Sequence, residues 1–324
     1  MHKRLRILLN LLVFVLIIGF VLYIVGSLGK NDSFFGSINL AGEPSPYKKI
    51  NTIKVKSEII RFDLSEDNIF IAVNHSVMIY NKTGTLVKQF PVEQEIRDIK
   101  VEDDRIYLLY PAEIEVFTIE GEMIDGWKAR RINSDYCSMA LTSEYVFVTD
   151  AGNRQICKYT KDGDYLSVIL SPDGFIIPSY SFDILNIGDT IYCVNSGRHL
   201  IERYTLEGEF IASFGKSGSE AGSFAGCCNP AYLAATTNGD LLTSEKGNPR
   251  ISCFSRDGQF KALLLGGKAL GGGVKAYSLK VQDDRIYVAG KNALSVFVYD
   301  PQLAAQSACA GCPSDCPLRQ SVER

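Results

Sequence analysis

The chain has 324 residues, of which 46 % are hydrophobic, and a formal net charge of −3. That length suits one large β domain or two ordinary ones. A balance this close to neutral, with no concentrated basic face, argues against nucleic-acid binding.

The first element in chain order is an apolar run. Ile7 to Gly29 is a stretch of 23 residues without a charge. As a helix it would span roughly 34 Å, enough for a hydrocarbon core. Lys3, Arg4 and Arg6 precede it, so the N-terminus should stay cytoplasmic and the remainder should face away from the cytoplasm. A cleaved signal peptide is the competing reading, with Ser27-Leu28-Gly29 as a weak cleavage site. Secretory apolar cores are usually only about 7–15 residues long, so an uncleaved single-pass anchor in the plasma membrane is the expectation for residues 1–29. No cysteine follows the run closely, which argues against a lipoprotein. Residues 30–49 carry Pro44 and Pro46 among Gly, Ser and Asn and read as a tether.

From about Ile50 to Pro301 one unit recurs six times. It consists of two apolar strands, an alternating strand ending in an aromatic, a short turn and usually a glycine. The turns are Tyr80-Asn-Lys-Thr-Gly84, Phe117-Thr-Ile-Glu-Gly121, Tyr159-Thr-Lys-Asp-Gly163, Tyr204-Thr-Leu-Glu-Gly208, Phe254-Ser-Arg-Asp-Gly258 and Tyr299-Asp-Pro301. Five of them continue into a further strand, such as Glu209-Phe-Ile-Ala-Ser-Phe214. The sixth does not. Four strands per unit at a period near 40 residues indicate an all-β, six-bladed β-propeller over residues 50–301. The orphan strand Asn51-Thr-Ile-Lys-Val55 belongs to no unit. Pairing Thr52–Val55 with Ala293–Tyr299 would close the ring and remove an open sheet edge.

Three units carry a finer pattern: Asp150-Ala-Gly-Asn-Arg154-Gln-Ile156, Asn195-Ser-Gly-Arg-His-Leu-Ile201 and Ser244-Glu-Lys-Gly-Asn-Pro-Arg250-Ile251. Each sets a polar residue and a glycine in the turn between the second and third strands, then an arginine (Arg154, Arg198, Arg250). This resembles the NHL repeat, and the resemblance covers the middle three units well and the others in outline. The string Gly226-Cys-Cys-Asn-Pro230 followed by Thr243-Ser-Glu-Lys-Gly247-x-Pro249-Arg250 looks like that of a membrane-anchored bacterial subgroup. The resemblance implies a six-bladed propeller and leaves the chemistry open. It also implies that the three arginines knit blades together by bonding backbone carbonyls.

Nine cysteines fall into groups. Cys137, Cys157, Cys193 and Cys253 sit singly in apolar strands and read as small buried hydrophobes. Cys309, Cys312 and Cys316 lie in the polar tail, residues 302–324, with C-x2-C-x3-C-P spacing. That spacing matches the last three ligands of a bacterial ferredoxin run. An iron–sulfur cluster or other metal would need a further thiolate, for which Cys227 and Cys228 are candidates. In an exported domain, disulfides are the ordinary fate, and a thiol-redox role is the third alternative. Adjacent cysteines rarely bond each other because the small ring strains the peptide, so Cys227 and Cys228 are expected to bond elsewhere, bind metal or remain free.

The second candidate site is the face where loops converge on the channel. Asn229, Glu245, Lys246 and Arg250 should lie together there as a ligand-binding group. Glu245-Lys246 departs from the sibling turns and so invites a functional reading, although charged turn residues are often only solvated. Several chemistries fail on residue content. A metal-dependent amidating lyase needs histidine ligands, and beyond the apolar run only His75 and His199 are present. Covalent haem needs Cys-x-x-Cys-His, but Pro313 follows Cys312. The glycines around 266–273 lack a phosphate loop's Gly-Lys-Ser/Thr and read as a connection between blades. The expectation is therefore a membrane-anchored binding or scaffold propeller with a protein partner on its face, in an assembly linked to redox through the cysteine tail. The alternative is a metal-dependent hydrolase or lactonase using Glu245, Asn229, Asn195 and Asp150 at the channel mouth.

Overall fold

The computed structural model describes residues 45–306, apart from 248 and 272–275. The expected anchor at 7–29 and the three tail cysteines lie outside the described residues, among which no helix is long and apolar enough to cross a membrane.

Six four-stranded antiparallel sheets form the fold. Strand β1 (Tyr47–Lys54) comes first. Blade 1 is β2 (Arg61–Leu64), β3 (Asn68–Val73), β4 (Ser76–Asn81) and β5 (Leu86–Pro91). Blade 2 is β6 (Asp98–Glu102), β7 (Arg105–Tyr110), β8 (Glu113–Thr118) and β9 (Met123–Lys128). Blade 3 is β10 (Tyr136–Leu141), β11 (Tyr145–Asp150), β12 (Gln155–Thr160) and β13 (Tyr165–Ile169). Blade 4 is β14 (Ile184–Ile187), β15 (Thr190–Asn195), β16 (Leu200–Thr205) and β17 (Phe210–Phe214). Blade 5 is β18 (Tyr232–Ala235), β19 (Leu241–Glu245), β20 (Arg250–Phe254) and β21 (Phe260–Leu265). Blade 6 is β22 (Ser278–Gln282), β23 (Arg285–Ala289) and β24 (Ala293–Tyr299), with β1 as its outer strand.

The expected six-bladed propeller is thus the observed one, and its ring is closed by the N-terminal strand. The closing ladder is longer than the sequence suggests. It runs from Tyr47↔Tyr299 to Lys54↔Ala293, with a bulge between Lys49 and Asn51. Val55 N–H extends it by donating to Asn292 O at 2.9 Å. The glycine-rich connection between blades 5 and 6 holds one short helical turn, α1 (Gly267–Leu270), and α2 (Pro301–Gln306) follows β24.

The core is six wedges, one between each pair of neighbouring blades. Second strands such as β3, which reads Asn-Ile-Phe-Ile-Ala-Val, are buried on both faces, whereas outer strands such as β9 stay open to water. The repeated turn glycine fits this geometry twice over. At Gly163 and Gly258 φ is +85° and +93°, in the left-handed region that only glycine enters freely. A Cβ at either would also strike the preceding blade, meeting Trp127 at 2.7 Å and Phe214 at 2.2 Å. At Gly84 the neighbour is Ile53 of β1, at 3.1 Å. The closing strand therefore fills the place that other outer strands fill elsewhere in the ring.

Candidate binding site at the channel mouth

Each inner strand begins at the same face of the ring, and the antiparallel order returns the turn between second and third strands to that face. Lead-in loops must cross it, and their backbone N–H groups need partners. The last residue of the second strand supplies one in three successive blades. Asp150 accepts from Asp135 N–H at 2.9 Å, Asn195 from Ile176 N–H at 2.9 Å, and Glu245 from Ala225 N–H at 3.2 Å. All three side chains are buried.

The structure brings Asn229, Glu245, Lys246 and Arg250 together, but three of them are occupied locally. Asn229 donates to Ala225 O (2.5 Å) and Lys246 O (2.9 Å) and accepts from Lys246 N–H (2.9 Å). Arg250 donates to both Glu245 oxygens, at 2.5 and 2.9 Å, and to the carbonyls of Ser219 and Ser223. Burial pushes the Glu245 carboxyl above its usual range, and Arg250 offsets that only in part. Arg198 likewise bonds the carbonyls of Asp173 and Gly174, while Arg154 is exposed. Lys246 alone of the four reaches the channel mouth, where its Nζ meets Ser181 Oγ at 3.2 Å. Asp150 and Asn195 stay with their own blades, so the four residues named for a hydrolase are spread over three blades and bonded to lead-in loops.

Of the candidate thiolates only Cys227 and Cys228 are described. Cys227 is exposed and Cys228 buried. Their sulfurs lie 2.8 Å apart, and Cys228 Sγ is 3.7 Å from Ser179 Oγ. Burial opposes ionisation of Cys228, but the Cys227 thiol, the Ser179 hydroxyl and the Lys246 ammonium outweigh it and hold its pKa below the usual thiol range. Among the described residues no group of three or more His, Cys, Asp or Glu side chains is placed to hold a metal.

The mouth is a cavity of about 460 Å³ to which all six blades contribute. Its described walls include the cations Arg61, Arg97 and Lys246 and the rings of Tyr180 and Tyr232, and the Asp135 carboxylate stands behind them, 3.9 Å from Arg97. The Arg61 guanidinium stacks on Tyr232 at 4.1 Å, and Arg97 faces Tyr180 at 5.8 Å. Ser179 and Tyr180 both hold φ near +56°, a backbone state that costs a non-glycine residue about 1 kcal/mol or more.

Below the mouth, charged side chains of the inner strands knit the axis. Arg61 bonds Asp183 at 3.0 Å and lies 3.8 Å from Asp98. Lys100 meets Asp98 at 2.8 Å, and Lys280 meets Asp63 at 2.8 Å. Ser138 Oγ sits 2.8 Å from Asp98 and 2.7 Å from Asp183, so its single proton serves one carboxylate at a time. Burial pushes the Asp98 carboxyl up, but Lys100 and Arg61, with the Lys100 and Met139 N–H bonds, hold it down at about 2. Sequence reasoning missed this axis and the arginines at its mouth. The signal was available in the alternate charges of the inner strands, Arg61 and Asp63 or Asp98 and Lys100.

Fold and site together define a six-bladed β-propeller with a basic, aromatic channel mouth. No protein-family model matches the sequence, and no curated protein is significantly similar to it. Solved structures are similar in fold. Virginiamycin B lyase from Staphylococcus aureus superposes with a TM-score of 0.58 at 12 % identity, over 78 % of this chain and 99 % of that one. A Bacteroides thetaiotaomicron protein of unknown function gives 0.58 at 10 % identity, over 80 % and 73 %. The WD40 domain of Neurospora crassa Pan2 gives 0.58 at 8 % identity, over 79 % and 96 %. At such identities the likeness is one of fold alone.

Proposed function

We propose that this chain is a binding propeller of NHL type, anchored by residues 7–29 and facing away from the cytoplasm, whose channel mouth receives a negatively charged group of a protein partner. One observation carries the reading: a mouth of about 460 Å³ whose described walls hold three cations, Arg61, Arg97 and Lys246, with the carboxylates that partner the two arginines, Asp183 and Asp135, set behind the wall. Cavities of this size suit small ligands or a protruding side chain. Guanidinium groups bind carboxylates through paired hydrogen bonds, and the two tyrosines supply apolar faces beside them. The strained Ser179–Tyr180 backbone fits a site rather than a passive loop. The NHL reading is supported by the arginines of blades 4 and 5, which bond lead-in carbonyls as that resemblance implies. The run of 23 uncharged residues supports the anchor, and the C-x2-C-x3-C tail supports a place in an assembly linked to redox.

The test is site-directed photo-crosslinking of the full chain in its membrane. A photoreactive residue at position 180, in the mouth, should yield a discrete crosslinked species that Arg97→Glu abolishes and a hexaglutamate peptide competes away. The same residue at position 166, on the outer strand of blade 3, should not. Equal products from both positions would overturn the mouth as the docking surface.

A further inference from the structure

The loop Gly226–Pro230 precedes β18 and carries two thiols side by side at the channel rim. Cys227 is exposed to solvent, so a small oxidant or reductant can reach it. Cys228 is buried beneath it, against Ser179, which itself lines the mouth. The two sulfurs lie 2.8 Å apart. A tetrahedral metal ion holding both would set them about 3.8 Å apart, given a metal–sulfur bond near 2.3 Å. A disulfide needs about 2.05 Å. The sulfurs therefore stand inside the span of a chelate and within 1 Å, roughly, of bonding distance. Cys157, Cys193 and Cys253, by contrast, are buried within strands.

We infer that Cys227 and Cys228 form a reversible dithiol–disulfide couple at the channel mouth, with small disulfides and dithiols as its exchange partners. The ring strain that makes adjacent cysteines poor structural staples is what suits them here. Neighbouring Cα atoms sit about 3.8 Å apart, below the usual disulfide span of about 4.4–6.8 Å. A strained, accessible disulfide is easily reduced again, and such bonds are the labile or regulatory ones. Oxidation proceeds by two exchanges. Access sets the order: Cys228 is the more acidic thiol but is buried, so the exposed Cys227, in its thiolate form, attacks one sulfur of an incoming disulfide, forms a mixed disulfide and releases one thiolate. The Cys228 sulfur then attacks that of Cys227 and expels the second thiolate. The two protons from the cysteines leave on the two released thiols. The pair loses two electrons and the small disulfide gains them. Reduction by a dithiol runs the same steps backwards.

The chain offers a direct readout. Cleavage after Lys216 and Lys246 yields a peptide, residues 217–246, whose only cysteines are these two. The full-length protein, extracted in detergent, is equilibrated across a series of reduced-to-oxidised dithiothreitol ratios. It is then alkylated, cleaved with trypsin and weighed. The expected result is one transition, from a doubly alkylated peptide to an unalkylated one lighter by two hydrogens, reversed completely by excess dithiothreitol. In Cys227→Ser, whose position is exposed and should tolerate the change, the light species should vanish while the melting temperature holds. Two results would overturn the inference. One is double alkylation at every ratio. The other is recovery of this peptide crosslinked to the one that carries Cys309, Cys312 and Cys316.

Discussion

Glu245 and Arg250 are the last rung of the β19–β20 ladder, and their side chains form an ion pair at 2.5 Å with both residues 1 % exposed. The same guanidinium bonds the carbonyls of Ser219 and Ser223 in the loop that leads into blade 5. The pair therefore fastens a long connection to the blade it serves. Glu245→Gln keeps the shape but leaves a buried cation without its counter-charge, and loss of one partner in such a pair costs about 3 kcal/mol or more. We expect a fall of several degrees in melting temperature, measured by circular dichroism. A variant that melts with the parent would show the pair to be dispensable.

The closing strand offers a second test. Ile53 is buried in the wedge between blades 6 and 1 and pairs with Leu294. Ile53→Ala should cost about 2–5 kcal/mol, as other large-to-small core changes do. Urea denaturation would read it as a lower midpoint at unchanged slope. A reduced slope would instead indicate a ring already open in the native state.

The axis predicts an acid limb. Asp98, held at about 2 in the fold, would titrate near 3.9 in the unfolded chain. A carboxyl with a depressed folded pKa adds stability that is present above the unfolded value. That stability fades as pH falls from about 4 towards 2. Asp98→Asn should flatten the fall in melting temperature over that window and lower stability at neutral pH. An acid limb of unchanged steepness would assign acid unfolding to other carboxylates.

The mouth predicts a separation of binding from stability. Lys246→Ala removes a half-buried cation whose nearest hydrogen-bond partner is Ser181. Stability should shift by no more than about 0.5 kcal/mol, as for most surface changes. Affinity for hexaglutamate, measured by calorimetry at low salt, should drop about tenfold. Equal affinity in parent and variant would remove Lys246 from the binding group.

Much of the fold was legible because a propeller repeats its own instructions. The aromatic-turn-glycine string recurs wherever an outer strand begins, and Gly163 and Gly258 show that both backbone and packing demand it. The orphan strand was legible by subtraction. The site was less so. Asn229, Glu245 and Arg250 look like binding residues in sequence because they are polar and clustered, yet a lead-in loop needs such groups merely to satisfy its backbone. Arg61 and Arg97 went unremarked because each blade donates only one to three residues to the mouth wall, and no linear motif spans six blades. The approach of Cys227 to Cys228 depends on side-chain rotamers that adjacency in sequence does not specify.

The pairing of Tyr47 with Tyr299 also orders events in time. β1 is the earliest strand of the ring to be synthesised and β24 is its partner at the far end, so the earliest strand waits for the latest. Blades 1 to 5 can assemble one after another from neighbouring hairpins, while β1 stays unpaired until β24 has been made. Such distant contacts are slow to form, because the intervening chain must first be brought together. Nascent chains therefore share one vulnerable intermediate: an open ring in which β1 waits as a solitary strand until β24 is made.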